Sequence, residues 1–459
     1  MLRALTFVAY QPALFSPDSR FYIRISSDLE PSEFRPIGYA VFLRALPLES
    51  GYAVVPLVQH LFGLVAAGVI YALALRLTAR RGLAAIAAAP LLLDGFQLNI
   101  EQFVLSETLF EVLLVGAVAL LLWRRPLGVA PAAAAGVLLA ASAITRTIGL
   151  LGLLPALVAV LLLSAPLGRR ARVTRAAAFA APALAIVGAY AVWFHSLHGE
   201  YAITGRIGAD LYSRVAPWVD CDRLSLPPRE RVVCPKQPAQ ERPRVYDLVW
   251  TRESPLSQVP RGTPRDRIAT RFAEDVIAQE PLAYARAVAS DFLYSFSPTK
   301  GSPAGGFHVD QWRFQAAFPR PFPSVWSPAP PAGFEHGEHP HVVKSLASFL
   351  RVYQRFVYAP GPLLALGLVA GLVAAVGLGR AGDSGLRAAA FLLSGLDLAV
   401  CLGALFVSAF SWRYQIPQIA LLPPSLAIGG AALSPRFRST QKTPPVRGFP
   451  QAAGQGFEP

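Results

Sequence analysis

About nine apolar runs, most of them near the roughly 20 residues that a helix needs to cross the hydrocarbon core of a bilayer, constrain this chain more than any other feature. They fall at 52–75, 83–100, 104–123, 127–144, 148–167, 174–194, 356–379, 388–411 and 415–433. Inside lipid every backbone N–H and C=O must be satisfied within the structure, so runs of this kind become helices. Composition agrees: 54% of residues are hydrophobic and 15% charged, where soluble domains are about a quarter charged. The expected fold class is an all-α polytopic membrane protein.

The links between the runs alternate in charge. Arg76, Arg80 and Arg81, then Arg124 and Arg125, GRRARVTR at 168–175, Arg380 and Arg387, and PRFRSTQK at 435–442 fall on one side. DGFQLNIEQF at 94–103, the lone Arg146 and SWRYQ at 411–415 fall on the other. The positive-inside rule makes the arginine-rich side cytoplasmic. It also accounts for much of the net charge of +14, so nucleic acid is not an expected partner and the lipid bilayer is.

These readings divide the chain into an N-terminal segment and first outer loop (1–51), a six-span bundle (52–194), an extracytoplasmic insert (195–355), a three-span bundle (356–433) and a cytoplasmic disordered tail (434–459). The start, MLRALTFVAYQPALF, shows no cleavable signal peptide. It reads either as the outer end of a truncated first span, giving about ten spans, or as a short interfacial helix.

Cys221 and Cys234 both lie in the insert, where an oxidising compartment and an even count favour a disulfide. Cys401 falls within a run and reads as packing. The 268–293 region, with Ile268, Phe272, Val276, Tyr284, Val288 and Phe292 and a break near Pro281, has the period of one or two amphipathic helices. EHGEHPH at 335–341 reads as a solvated loop sooner than as a metal site. Asp397 in mid-span reads as an interhelical hydrogen bond, and His60 as packing.

The outer side gathers polar groups from distant segments: Asp18, Asp28, Glu30, Glu33 and Arg35, then Asp94, Glu101 and Glu107, then Arg146, then Arg413 and Tyr414. Charge at that depth is costly unless paired or functional. Arginines there suit a lipid phosphate, which they hold bidentately. A carboxylate beside them suits proton abstraction from an incoming hydroxyl. The chain carries no P-loop or dinucleotide fingerprint.

PDSRFY at 17–22 followed by RPIGYAVFLRAL at 35–46 resembles the first outer loop of the GT-C superfamily of polyprenyl-phosphate-dependent glycosyltransferases. That superfamily includes protein mannosyltransferase and aminoarabinose transferase relatives. IEQFVLSETLF at 100–110, TRTIGLLGLLP at 145–155, AEDVIAQEPLAYARAVASDFL at 273–293 and WRYQIPQIALLP at 412–423 are similar to later outer motifs, in order. The resemblance implies a GT-C-like bundle with a large extracytoplasmic insert at the cell membrane. It implies a phospholipid carrier-dependent transferase with a polyprenyl-phosphate sugar donor and a cell-envelope acceptor. Asp18 would be the general base, with Glu101 as its acidic partner and Glu107 as competitor for that place. Arg413 would hold the lipid phosphate, with Arg35, Arg146 and Tyr414 as further contacts. No soluble cofactor is implied, and a divalent cation is left open. The chain departs from the pattern in its short first span, in having fewer spans than is usual there, and in having no soluble domain after the last one. The rival readings are a secondary transporter, against which stands the lack of an inverted repeat, and a non-catalytic envelope scaffold.

Overall fold

The computed structural model describes residues 1–259, 264–317, 341–377 and 384–433. The tail 434–459, Arg380 and all of EHGEHPH except His341 lie outside the described residues. The chain opens with three short helices, α1 (Leu2–Ala9), α2 (Pro17–Asp28) and α3 (Gly38–Arg44). The first bundle follows as α4 (Val54–Thr78), α5 (Arg81–Leu93), α6 (Gly95–Gln102), α7 (Glu107–Leu122), α8 (Val129–Thr145), α9 (Gly149–Ser164) and α10 (Arg169–His198). The insert contains α11 (Gly208–Val215), α12 (Pro228–Arg231), α13 (Val245–Trp250), α14 (Arg265–Gln279) and α15 (Pro281–Tyr294). Then come α16 (Lys344–Phe356), α17 (Gly361–Val376), α18 (Ser384–Val407) and α19 (Ile416–Leu433). β1 (Tyr10–Gln11) and β2 (His341–Val342) pair antiparallel.

Every apolar run of the sequence is helical, but fewer of them are long enough to span than hydropathy suggests. Five segments are long and apolar enough to cross a membrane: Val54–Thr78, Gly149–Leu167, Arg169–His198, Gly385–Val407 and Trp412–Leu433. Two bent pairs, Arg81–Leu93 with Gly95–Gln102 (47°) and Lys344–Phe356 with Gly361–Val376 (49°), raise the number to at most seven among the described residues, if each pair is counted as one span. The expectation of nine or ten is corrected accordingly. α7 has 16 residues and α8 has 17, which at 1.5 Å per residue gives about 25 Å against a core of about 30 Å. The run at 104–123 loses its first residues because they pair with the N-terminal segment. The Leu14 N–H donates to the Gln102 carbonyl (2.9 Å) and the Val104 N–H to the Leu14 carbonyl (2.9 Å).

The two bends dock on each other through Asp94. Its Oδ1 caps α6 by accepting from the N–H groups of Phe96 (2.7 Å) and Gln97 (3.0 Å). Its Oδ2 accepts from the N–H of Ala359 (2.6 Å), in the link between α16 and α17. The Gly95 N–H donates to the Val357 carbonyl (2.9 Å). A side chain at Gly95 would meet the Gln354 backbone at 2.9 Å, so the docking needs glycine there.

The ends of the bundle differ in charge. At one end the arginine-rich links converge, with Arg76 donating to the Trp123 carbonyl (2.5 Å) and Arg175 to the Leu127 carbonyl (2.5 Å). The other end carries α2, the links at 94–106 and 146–148, the insert and the residues before α19. The insert has its own apolar core, built around Tyr212, Val249, Phe272 and Val276. Cys221 and Cys234 are bonded to each other. A buried ion pair, Arg214 to Asp291 (2.5 Å), joins α11 to α15, and Asp291 also accepts from the Phe410 N–H (3.1 Å) beyond α18. The 268–293 region forms two helices that break before Pro281. α14 turns its apolar face into the insert core, while α15 leaves Leu282 and Leu293 exposed.

Candidate active site

Two strands of backbone set the centre of the site. Ser16 caps α2, with its N–H donating to Ser19 Oγ (2.9 Å), and Ser19 Oγ in turn donates to the Val104 carbonyl (2.8 Å). Asp18 therefore sits in the first turn of α2, against the link that leads into α7. Glu107 opens α7.

Asp18 lies between two guanidinium groups. Arg35 Nη2 reaches Oδ1 at 2.7 Å and Arg413 Nη1 reaches Oδ2 at 2.6 Å. Arg35 comes from the loop between α2 and α3, and is held by a second bond to the Phe34 carbonyl (2.9 Å). Arg413 comes from the turn that enters α19 and lies over the rings of Trp312 (5.4 Å) and Tyr414 (5.6 Å). The same Arg413 nitrogen is 3.6 Å from Glu107. Glu107 pairs more closely with Arg146 (2.5 Å), at the end of α8. Arg146 also donates to Ser106 Oγ (3.3 Å), which bonds the Tyr22 hydroxyl (2.9 Å).

The result is a chain of charge, Arg35–Asp18–Arg413–Glu107–Arg146, drawn from five separate segments. Two carboxylates among three guanidiniums leave one net positive charge. Asp18 is 16% exposed and Arg413 17%, whereas Glu107 is 3% exposed. Asp18 and Arg413 are thus open to a ligand, with Glu107 behind them. Burial works to raise the Asp18 carboxyl, but Arg35 and Arg413 together outweigh it and hold the group well below the usual carboxylate range. Asp210, in the first turn of α11, feels Arg35, Arg413 and Arg146, yet burial wins there and pushes its carboxyl up.

Of the residues singled out in the sequence, Asp18, Arg35, Glu107, Arg146 and Arg413 come together. Tyr414 lies beside them, donating to Ser408 Oγ (3.1 Å). Glu101 does not join them. It is fully buried in the bundle, where it accepts from Arg3 (2.7 Å) and Gln97 (3.1 Å) and bonds His60 Nδ1 (2.7 Å). His60 is therefore a polar partner and not plain packing. Asp397 is buried in α18 next to Gln418 of α19. Among the described residues no group of three or more His, Cys, Asp or Glu is placed to hold a metal ion.

No protein-family model matches this chain, and no curated protein or solved structure matches it either.

Sequence reasoning missed Tyr22, Ser106 and Asp210. Tyr22 lies four residues after Asp18, one helical turn on, and so shares its face; that spacing was a usable signal. Ser106 directly precedes Glu107. Asp210 sits in the Pro- and Arg-rich insert, where no period or motif marks it. The insert is brought to this end by a clamp on the first loop: Glu33 pairs with Arg206 (2.5 Å), whose guanidinium lies 4.7 Å from the Phe34 ring.

Proposed function

We propose that this protein is a membrane glycosyltransferase that moves a sugar from a polyprenyl-phosphate donor to a hydroxyl of a cell-envelope acceptor on the extracytoplasmic face. The observation that carries this reading is the position of Asp18 between Arg35 and Arg413, partly exposed, at the bundle end opposite the arginine-rich links. The order of motifs that resembles the GT-C superfamily supports it independently.

In this reading the acceptor oxygen attacks the anomeric carbon. The bond from that carbon to the phosphate oxygen breaks, its electron pair leaves with polyprenyl phosphate, and the acceptor proton passes to Asp18. The displacement is in line and inverts the anomeric centre. Arg413 holds the phosphate as charge develops on it, the kind of electrostatic stabilisation that a preorganised cation supplies. Glu107 offsets the repulsion between Arg146 and Arg413 and holds both in orientation.

The resting geometry adds a step of control. Arg413 meets Asp18 through Nη1, and its Nε has no hydrogen-bond partner among the described residues and can turn to a phosphate. An arriving donor phosphate that shares Arg413 weakens its hold on Asp18, and the carboxyl rises toward its ordinary range. The base then becomes competent only when the donor is bound.

The test uses purified protein in lipid with a panel of radiolabelled polyprenyl-phosphate sugars, following release of free polyprenyl phosphate. Release from one donor that falls by about 10²–10⁴ in Asp18→Asn, in protein that keeps its fold, bears the proposal out. Release from no donor, with candidate acceptors and divalent cations supplied, removes the glycosyltransferase. Release that persists in Asp18→Asn removes Asp18 as the base.

A further inference from the structure

A polar cavity is lined by Lys300, which reaches the turn that carries Arg413. Trp412 and Gln415 of this turn both contact Lys300. The cavity has a volume of about 290 Å³, near the lower end of ligand-binding pockets. Four cationic side chains line it, Lys300, Arg313, Arg351 and Arg355, with a single carboxylate, Asp310. That carboxylate is already taken, by Arg313 (3.0 Å) and His308 (3.0 Å). Among the described residues no carboxylate pairs with Lys300, Arg351 or Arg355.

Lys300 is the unusual member. It is 7% exposed, and its ammonium lies 4.1 Å from the Trp412 ring, 5.5 Å from Phe96 and 5.7 Å from Tyr358. It donates to Gln415 Oε1. Rings on several sides and one amide fix the amine in place without neutralising it. The carboxylate of Asp94 offsets only part of the cost of burying this cation, and a bound anion lowers that cost further.

The helix that supplies the two arginines indicates the depth of the site. Arg351 and Arg355 are one turn apart on α16, and so on one face. Phe349, Val352 and Phe356, all exposed, form a different face of the same helix. α16 then bends into the apolar α17. A helix with a bare apolar stripe and arginines beside it lies in the interface plane of a membrane, where lipid phosphates are found.

We propose that the Lys300–Arg351–Arg355 cavity is a second oxyanion site, separate from the Asp18 cluster, which binds a phosphate group presented at the bilayer surface. Arg351 and Arg355 take phosphate oxygens through charged hydrogen bonds, and Lys300, drawn toward its protonated form by the bound anion, adds a donor from the floor. The site does not depend on glycosyl transfer.

Two probes distinguish a lipid headgroup from a soluble phosphate. Equilibrium dialysis of the full chain in maltoside micelles against ³²P-labelled inorganic phosphate reads the soluble source. Native mass spectrometry after extraction from phosphatidylcholine liposomes containing phosphatidic acid reads the lipid source. Binding by either probe that weakens at least about tenfold in Arg351→Gln/Arg355→Gln, and stays in Arg413→Gln, supports the site. Retention of phosphatidic acid alone makes it a headgroup site, and binding of free phosphate alone makes it a soluble one. Binding lost in Arg413→Gln but kept in the double variant overturns the proposal, since the phosphate then belongs to the Asp18 cluster. Binding of neither probe by the folded chain overturns it as well. The two arginines are partly or fully exposed, so their loss does not threaten folding. Lys300→Gln, with a buried site, is read only alongside an unchanged thermal transition.

Discussion

Asp18 and Arg413 lie 395 positions apart in the chain and 2.6 Å apart in space. Their contact closes the N-terminal loop onto the entry to the last helix. It also decides the state of the candidate base, because Arg413 and Arg35 hold that carboxylate ionised.

The contact predicts coupled effects. In a double-mutant cycle over Asp18→Asn and Arg413→Gln, thermal unfolding in lipid nanodiscs should show a coupling of about 0.5–3 kcal/mol. Either single change strands a partly buried charge, and the double change strands fewer. Additive effects on stability would mean that the two side chains do not pair in the protein at rest.

The members of the site were legible in the sequence, but not their partners. Arg146 and Arg413 stand between apolar runs on the side poor in arginine, Asp18 and Arg35 lie in the polar segment before the first run, and alternation of link charge was enough to place them at one end. Which acid meets which arginine depends on the angles at which α2, α7 and α19 arrive, and no period in the sequence encodes those. Glu101 and Glu107 are six residues apart, and the motif favoured Glu101. The bend at Asp94 and the pairing of Leu14 with the 102–104 backbone turn Glu101 inward and leave Glu107 facing Arg146. The bends lower the span count from seven to five unbroken helices, and the shortness of α7 and α8 accounts for the rest. In the insert, Tyr284 and Phe272 followed helical spacing and were readable, whereas Asp210 had no pattern around it.

Lys300 predicts a pH dependence of stability. Burial drives its ammonium from 10.5 down to about 7, with Asp94 opposing. Trp412, Phe96, Tyr358 and Gln415 surround it, and Arg313 donates to its carbonyl (2.8 Å). Between pH 7 and 10.5 the unfolded chain holds a proton that the folded chain has released, so stability rises with pH across that window and is flat below it. The slope should reach up to about 1.4 kcal/mol per pH unit. Thermal unfolding from pH 6 to pH 9 should show this rise, and Lys300→Met should flatten it. A variant that keeps the full rise would assign it to another group.

The Cys221–Cys234 bond closes a short loop within the core of the insert, where Cys221 packs with Val219, Leu224 and Val233. A loop of that size restricts the unfolded chain by about 3 kcal/mol on the chain-entropy account. Cys221→Ser/Cys234→Ser should therefore open the insert to limited proteolysis while the membrane bundle stays protected. Because the clamp between Glu33 and Arg206 holds the insert near Asp18, transfer activity should fall together with protection. Equal protection of the insert with and without the bond would show that its apolar core suffices.

Glu101 and Glu107 predict opposite phenotypes. Glu101 has no exposed surface and receives Arg3, Gln97 and His60. Glu101→Gln leaves Arg3 buried without its counter-charge, a loss of about 3–5 kcal/mol. The variant should express poorly and unfold at lower temperature, yet its folded fraction should turn over at the native rate. Glu107 stands one ion pair from Asp18. Glu107→Gln releases Arg146 and lets Arg413 close fully on Asp18, which should deepen the hold on the base. The fold should survive, since Arg146 and Arg413 both keep some access to water, and turnover should drop about 10-fold or more while donor affinity changes less. Activity per folded molecule, measured for both variants against their thermal transitions, separates the two roles. If Glu101→Gln abolished turnover at unchanged stability, the acidic partner of Asp18 would act from inside the bundle, and the charge chain through Glu107 would serve the fold alone.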